Sequence, residues 1–87
     1  MLMQILCVYD SKAESYNRPV YVEAVGIGLR GFMDLLKNPE HEFTKHPEDY
    51  TLFHLGEFDT KTAKFDLLKT PKSLGVAIEF MPQTSNS

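Results

Sequence analysis

The stretch HPEDYTLFHLGEFDTKTAKF, from His46 to Phe65, decides the fold. His46-Pro47-Glu48-Asp49 reads as a turn that starts a strand. Tyr50 to Phe58 then places Tyr50, Leu52, His54 and Phe58 on one face and Thr51, Phe53, Leu55 and Glu57 on the other. Gly56 breaks the alternation and predicts a bulge. Asp59-Thr60-Lys61-Thr62 predicts a hairpin turn. The return strand sends Ala63, Phe65 and Leu67 inward and Lys64 and Asp66 outward.

Upstream of the hairpin the period changes from strand to helix. Across Ala24 to Lys37, Val25, Leu29, Phe32, Met33 and Leu36 follow the spacing of an amphipathic helix, which Asn38-Pro39 stops before the polar loop Glu40-His41-Glu42. Gly26-Ile27-Gly28-Leu29-Arg30-Gly31 in this helix matches the dinucleotide fingerprint G-x-G-x-x-G. The surroundings speak against that reading, because the helix runs into a polar loop where a nucleotide-binding unit needs a second parallel strand ending in an acid. Each glycine instead weakens the helix by roughly 1 kcal/mol relative to alanine, which predicts close packing on the sheet or against a second copy.

At the N-terminus, Met3 to Tyr9 is apolar on both faces and predicts a central strand ended by Asp10-Ser11-Lys12. Glu14 to Pro19 reads as a polar loop and Val20-Tyr21-Val22 as a short strand. At the other end, Leu74 to Met81 fits two patterns. Leu74, Ala77, Ile78 and Met81 suit a helix started by Thr70-Pro71, and Val76, Ile78 and Phe80 suit a strand; a short helical turn is the reading adopted. The expected architecture is a small single α+β domain, mainly antiparallel sheet with one amphipathic helix, ordered β-(β)-α-β-β plus a short C-terminal element. It spans residues 1–81, with the polar residues 82–87 as a flexible tail.

Eighty-seven residues fill one hydrophobic core, and a domain this small gains from self-association, so a homodimer or other homo-oligomer is expected. The composition, 43% hydrophobic and 24% charged, is that of a folded globular chain. Cys7 has no partner for a disulfide, and the N-terminus lacks the basic start of a signal peptide and the length of a membrane span. A reducing cytoplasm and no membrane are therefore expected. The net charge is −3, and residues 40–68 hold seven acids against three lysines, a segment that repels phosphate. The first 39 residues balance four acids with Lys12, Arg18, Arg30 and Lys37, so any nucleic-acid surface must be local.

Catalytic constellations are thin. His41, His46 and His54 with Glu42, Glu48 or Asp49 do not fall at helical or tight-turn ligand spacing, so no metal is expected. The one thiol, Cys7, sits in the apolar run Ile5-Leu6-Cys7-Val8, and no serine lies in a glycine-flanked elbow. Glu48-Asp49 reads as turn residues rather than an acid/base couple. Neither an enzymatic activity nor a cofactor is expected.

The run Lys45 to Asp59, KHPEDYTLFHLGEFD, with Asn38-Pro39 shortly before it, closely resembles the nonstructural proteins of gokushoviruses, small single-stranded DNA phages of the microvirus group. Val8-Tyr9-Asp10-Ser11-Lys12-Ala13, Arg18-Pro19-Val20 and Phe32-Met33-Asp34-Leu35-Leu36 keep that family's order and spacing over most of residues 5–72. The resemblance implies a protein made in the host bacterial cytoplasm that binds DNA and helps switch single-stranded genome synthesis towards packaging, with no enzymatic activity.

Single-strand binding needs cations beside exposed aromatic faces on which bases stack. Lys12, Tyr16, Arg18, Arg30, Lys45 and His46 are the candidates; Tyr9 and Tyr21 fit core or edge positions as well. An alternative of a different class is a non-enzymatic dimeric adaptor that binds a phage or host replication or packaging protein. The acidic hairpin, with Glu48, Asp49, Glu57, Asp59 and Asp66, favours that alternative.

Overall fold

The apolar N-terminal run becomes the central strand, as its two-faced hydrophobicity predicts. The computed structural model describes residues 1–81, so the polar tail lies outside the described residues. Its elements are β1 (Leu2–Asp10), β2 (Ser15–Tyr16), β3 (Val20–Val22), α1 (Val25–Leu35), α2 (Glu42–Lys45), β4 (Tyr50–Asp59) and β5 (Phe65–Val76). One-turn 3-10 helices follow α2 at Pro47–Asp49 and β5 at Ala77–Phe80. The sheet order is β2-β1-β4-β5, with β3 also on β1, and every pairing is antiparallel. Ile5, Leu6 and Cys7 are buried in succession, so β1 is covered on both faces at its centre.

The loop expected over Glu14 to Pro19 is partly strand. β2 turns back on β1 through Tyr9 opposite Tyr16, and β3 continues along the same edge through Leu6 opposite Val20. The two are halves of one broken strand, interrupted where Pro19 has no N–H to give. The Asp10 carboxylate accepts hydrogen bonds from the backbone N–H groups of Lys12 (2.9 Å) and Ala13 (3.2 Å), which tightens the intervening turn.

Helix α1 lies over one face of the sheet, where Phe32 and Leu36 join Leu6, Phe43, Tyr50, Leu52 and Ala77 in the core. Leu6 and Leu36 are essentially inaccessible, each contributing about 1.5–3 kcal/mol by burial. Met33, expected on the buried stripe, is exposed, because Phe32 and Leu36 already occupy the line facing the sheet. The predicted close packing holds at Gly28, where a Cβ would overlap the buried Leu6 Cδ1. At Gly26 and Gly31 a Cβ would meet nothing within 4 Å, so those two glycines do not pack on the sheet.

The segment read as a polar loop contains α2. His41 Nδ1 accepts the Phe43 N–H at 3.1 Å, capping the turn that carries Phe43 into the core. The Tyr50–Phe65 hairpin forms with its bulge at Gly56, whose φ of +149° suits glycine. The bulge corrects the expected faces. His54 pairs with Leu6 but Gly56 pairs with Ile5, so Leu55 is the extra residue and alternation reverses beyond it. Phe58 therefore joins Phe53 on the face away from α1, and Glu57 crosses to the helix side, where its carboxylate accepts a hydrogen bond from Gln4 Nε2 at 3.1 Å.

Phe65 and Leu67 alternate with Asp66 as predicted but do not point into a core: they are 55% and 61% exposed. β5 also runs through Thr70-Pro71, which start no helix. Leu68 to Pro71 lie opposite the single Leu55, a four-residue outpouching that houses the proline without a ladder hydrogen bond. The helical turn expected near the C-terminus is the 3-10 turn Ala77–Phe80, with Ala77 fully buried.

Candidate nucleic-acid interface

The two faces of the sheet carry different chemistry. On the helix side the register aligns Asp10 with Tyr50, Gln4 with Glu57, Leu2 with Asp59 and Glu57 with Asp66, so the strand carboxylates all lie on that side. On the other face the paired residues include Met3, Ile5, Cys7, Tyr9, Tyr16, Tyr21, Thr51, Phe53, Phe58, Phe65 and Leu67, with Gly56, Ser73 and Val76 beside them, and none is charged.

Six rings on this open face form two triads. Tyr9 lies 4.7 Å from Tyr16 and 6.4 Å from Phe53, with Tyr16 and Phe53 5.7 Å apart. Phe58 lies 5.8 Å from Tyr21 and 4.8 Å from Phe65. These are centroid separations of interacting rings. Tyr16, Tyr21 and Phe65 keep about half of their surface in solvent, while Ile5 and Cys7 beneath are buried. Burial pushes the Cys7 thiol up, and its Sγ lies 2.9 Å from the Asn17 carbonyl oxygen, so Cys7 is floor rather than nucleophile. Along β1 the first triad sits at Tyr9 and Cys7 and the second at Ile5 and Met3, which spaces their centres by about 15 Å. Lysines stand in the turns at both ends: Lys12 after β1, Lys61 and Lys64 before Phe65.

The structure divides the six predicted residues. Tyr16 is on the open face. Lys12 and His46 meet in a cleft of about 450 Å³ with Asp10, Asp49 and Tyr50, where two acids offset them. Arg18 turns to the helix side and lines an apolar cleft of about 530 Å³ under α1. Arg30 is exposed on α1, and Lys45 lies 3.8 Å from Glu40 in an exposed ion pair. Ligand atoms of His46, Glu48 and Asp49 come within 4.8 Å of one another, a grouping the 3-10 turn creates and linear spacing concealed. His46 and Glu48 are exposed there, so water competes with any ion.

Sequence reasoning missed Phe53, Phe58 and Phe65. The signal was present in Gly56: counting the bulge as one extra residue places Phe53 and Phe58 on the same face.

The chain is thus a small α+β domain whose sheet is covered by a helix on one face and paved with uncharged rings on the other. The family described as Phage ORF5 protein matches residues 3–80, and the chain belongs to it. No curated protein and no solved structure matches the chain. No helix among the described residues is long and apolar enough to cross a membrane.

Proposed function

We propose that this phage protein binds single-stranded DNA along the open face of its sheet, without catalysis, and thereby assists single-stranded genome synthesis or its switch to packaging. The resemblance to gokushovirus nonstructural proteins supplies the biological role. The observation that carries the reading is the pair of exposed aromatic triads on a face free of charge among its paired residues. Every base offers a π-face, and each stack on an aromatic side chain is worth about 1–3 kcal/mol. Three half-exposed rings thus offer about 3–9 kcal/mol, whose upper end reaches micromolar affinity even in a chain of net charge −3. The strand acids that would repel phosphate, Asp10, Glu57, Asp59 and Asp66, lie on the far side of the sheet.

Stacking rather than charge should dominate. With Lys12, Lys61 and Lys64 in the end turns and no cation among the paired residues of the face, the backbone is neutralised at about one to three phosphates, so the salt slope is shallow, about −0.7 per phosphate for a single strand. The test is fluorescence anisotropy of a labelled single strand and of its duplex. Micromolar binding of the single strand is expected, with Tyr16→Ala and Phe65→Ala each weakening it about tenfold or more. Both side chains are half exposed, so neither change opens the core. Absence of single-strand binding at low salt, or affinity indifferent to both substitutions, overturns the proposal and favours the adaptor reading.

A further inference from the structure

Gly31 lies inside α1, where glycine is a poor helix former, yet the single chain gains nothing from it: a Cβ there would meet open space. Ile27 and Leu35 stand one turn to either side on the same stripe of the helix and are 45% and 41% exposed. Ile27, Gly31 and Leu35 also border the apolar cleft of about 530 Å³, whose far wall is Val20 and Val22. A small residue flanked by two large ones at equal spacing is self-complementary about a two-fold axis.

We infer that α1 packs antiparallel against α1 of a second copy, crossing at Gly31. In that arrangement Ile27 of each copy meets Leu35 of the other, and the crossing helix closes the mouth of the cleft. Charge follows the same symmetry. Arg30 and Asp34 both lie on the flank of α1 turned away from Phe32 and Leu36, so Arg30 of one copy approaches Asp34 of the other across the seam. Asp34 is held in its own chain only by Lys37, at 3.5 Å, with both side chains more than 60% exposed, a pair that exchanges readily.

A helix of eleven residues is about 16 Å long and 10 Å wide. Pairing along it, with Val20 and the cleft rim included, makes a small contact, at or below the roughly 1,000 Å² lower bound of specific interfaces, so an exchanging dimer of about micromolar affinity or weaker is expected. The seam leaves the open aromatic face free, so dimerisation stands or falls independently of DNA binding.

Sedimentation equilibrium across the micromolar range tests this on the full chain. The wild-type protein should pass from monomer to dimer, and Gly31→Gln should raise the dissociation constant about tenfold or more while keeping or raising the melting temperature in dilute solution. Arg30→Asp should weaken the dimer, and Arg30→Asp combined with Asp34→Arg should restore it. A wild-type chain that stays monomeric up to about millimolar concentration overturns the proposal. So does a dimer equally tight in Gly31→Gln, and failure of the double variant to recover refutes the antiparallel charge pairing.

Discussion

One substitution made at two positions of the same helix should move stability in opposite directions. Replacing glycine by alanine inside a helix gains about 1 kcal/mol from backbone entropy and propensity. At Gly31 nothing opposes that gain, because the new methyl meets open space. At Gly28 the methyl would overlap Leu6 Cδ1 and press on Val22 Cγ2 at 3.2 Å. Leu6 is fully buried and has nowhere to retreat, so overpacking costs about 1–3 kcal/mol. Gly31→Ala is therefore expected to stabilise by about 1 kcal/mol and Gly28→Ala to destabilise by about 1 kcal/mol, a separation of about 2 kcal/mol. For a domain of this size that places the two melting temperatures about 10 °C apart. Circular dichroism melts and urea titrations in dilute solution, where any dimer is dissociated, give both quantities. Equal stabilisation by both changes would refute the seating of α1 on Leu6.

Gly56→Ala puts a methyl against the Asp66 carbonyl oxygen and Leu67 Cα, both backbone atoms, at a φ that disfavours any side chain. It should lower stability by at least about 2 kcal/mol in urea unfolding, and a neutral result would contradict the bulge. Burial pushes the Tyr50 phenol up to about 12 from 10, with the carboxylates of Asp10, Glu42 and Asp49 adding to it. The folded-state value lies above the unfolded one, so this contribution to stability is complete below pH 10 and is lost as pH rises towards 12. Tyr50→Phe should abolish that decline, and the difference in near-ultraviolet absorbance between the two proteins should place the phenolate transition near pH 12.

Where local pattern and tertiary packing agree, the chain is legible. β1 announces itself through an unbroken apolar run, α1 through its helical spacing, and the hairpin through alternation and the Asp59–Thr62 turn. The candidate site was harder to read because it depends on parity. One residue, Leu55, swaps the faces of everything after it in β4, turning a mixed surface of Phe53 and Glu57 into an uncharged aromatic one. β5 was misread beyond Leu67 because Thr70-Pro71 resembles a helix start, whereas the proline sits in an outpouching that needs no ladder hydrogen bond. α2 was hidden by its polar residues, since only Phe43 among its four side chains is buried.

The outpouching in β5 also governs how the protein behaves when crowded. β5 ends the sheet order, so its outer side presents free backbone donors and acceptors, the usual template for strand-by-strand polymerisation. Lys69, Pro71 and Lys72 lie within or beside the four-residue excursion and are all exposed. Charge, a missing N–H and a break in the strand line coincide there, and a neighbouring chain cannot continue a ladder past them. The same excursion that makes the strand irregular therefore works against fibre growth at high protein concentration.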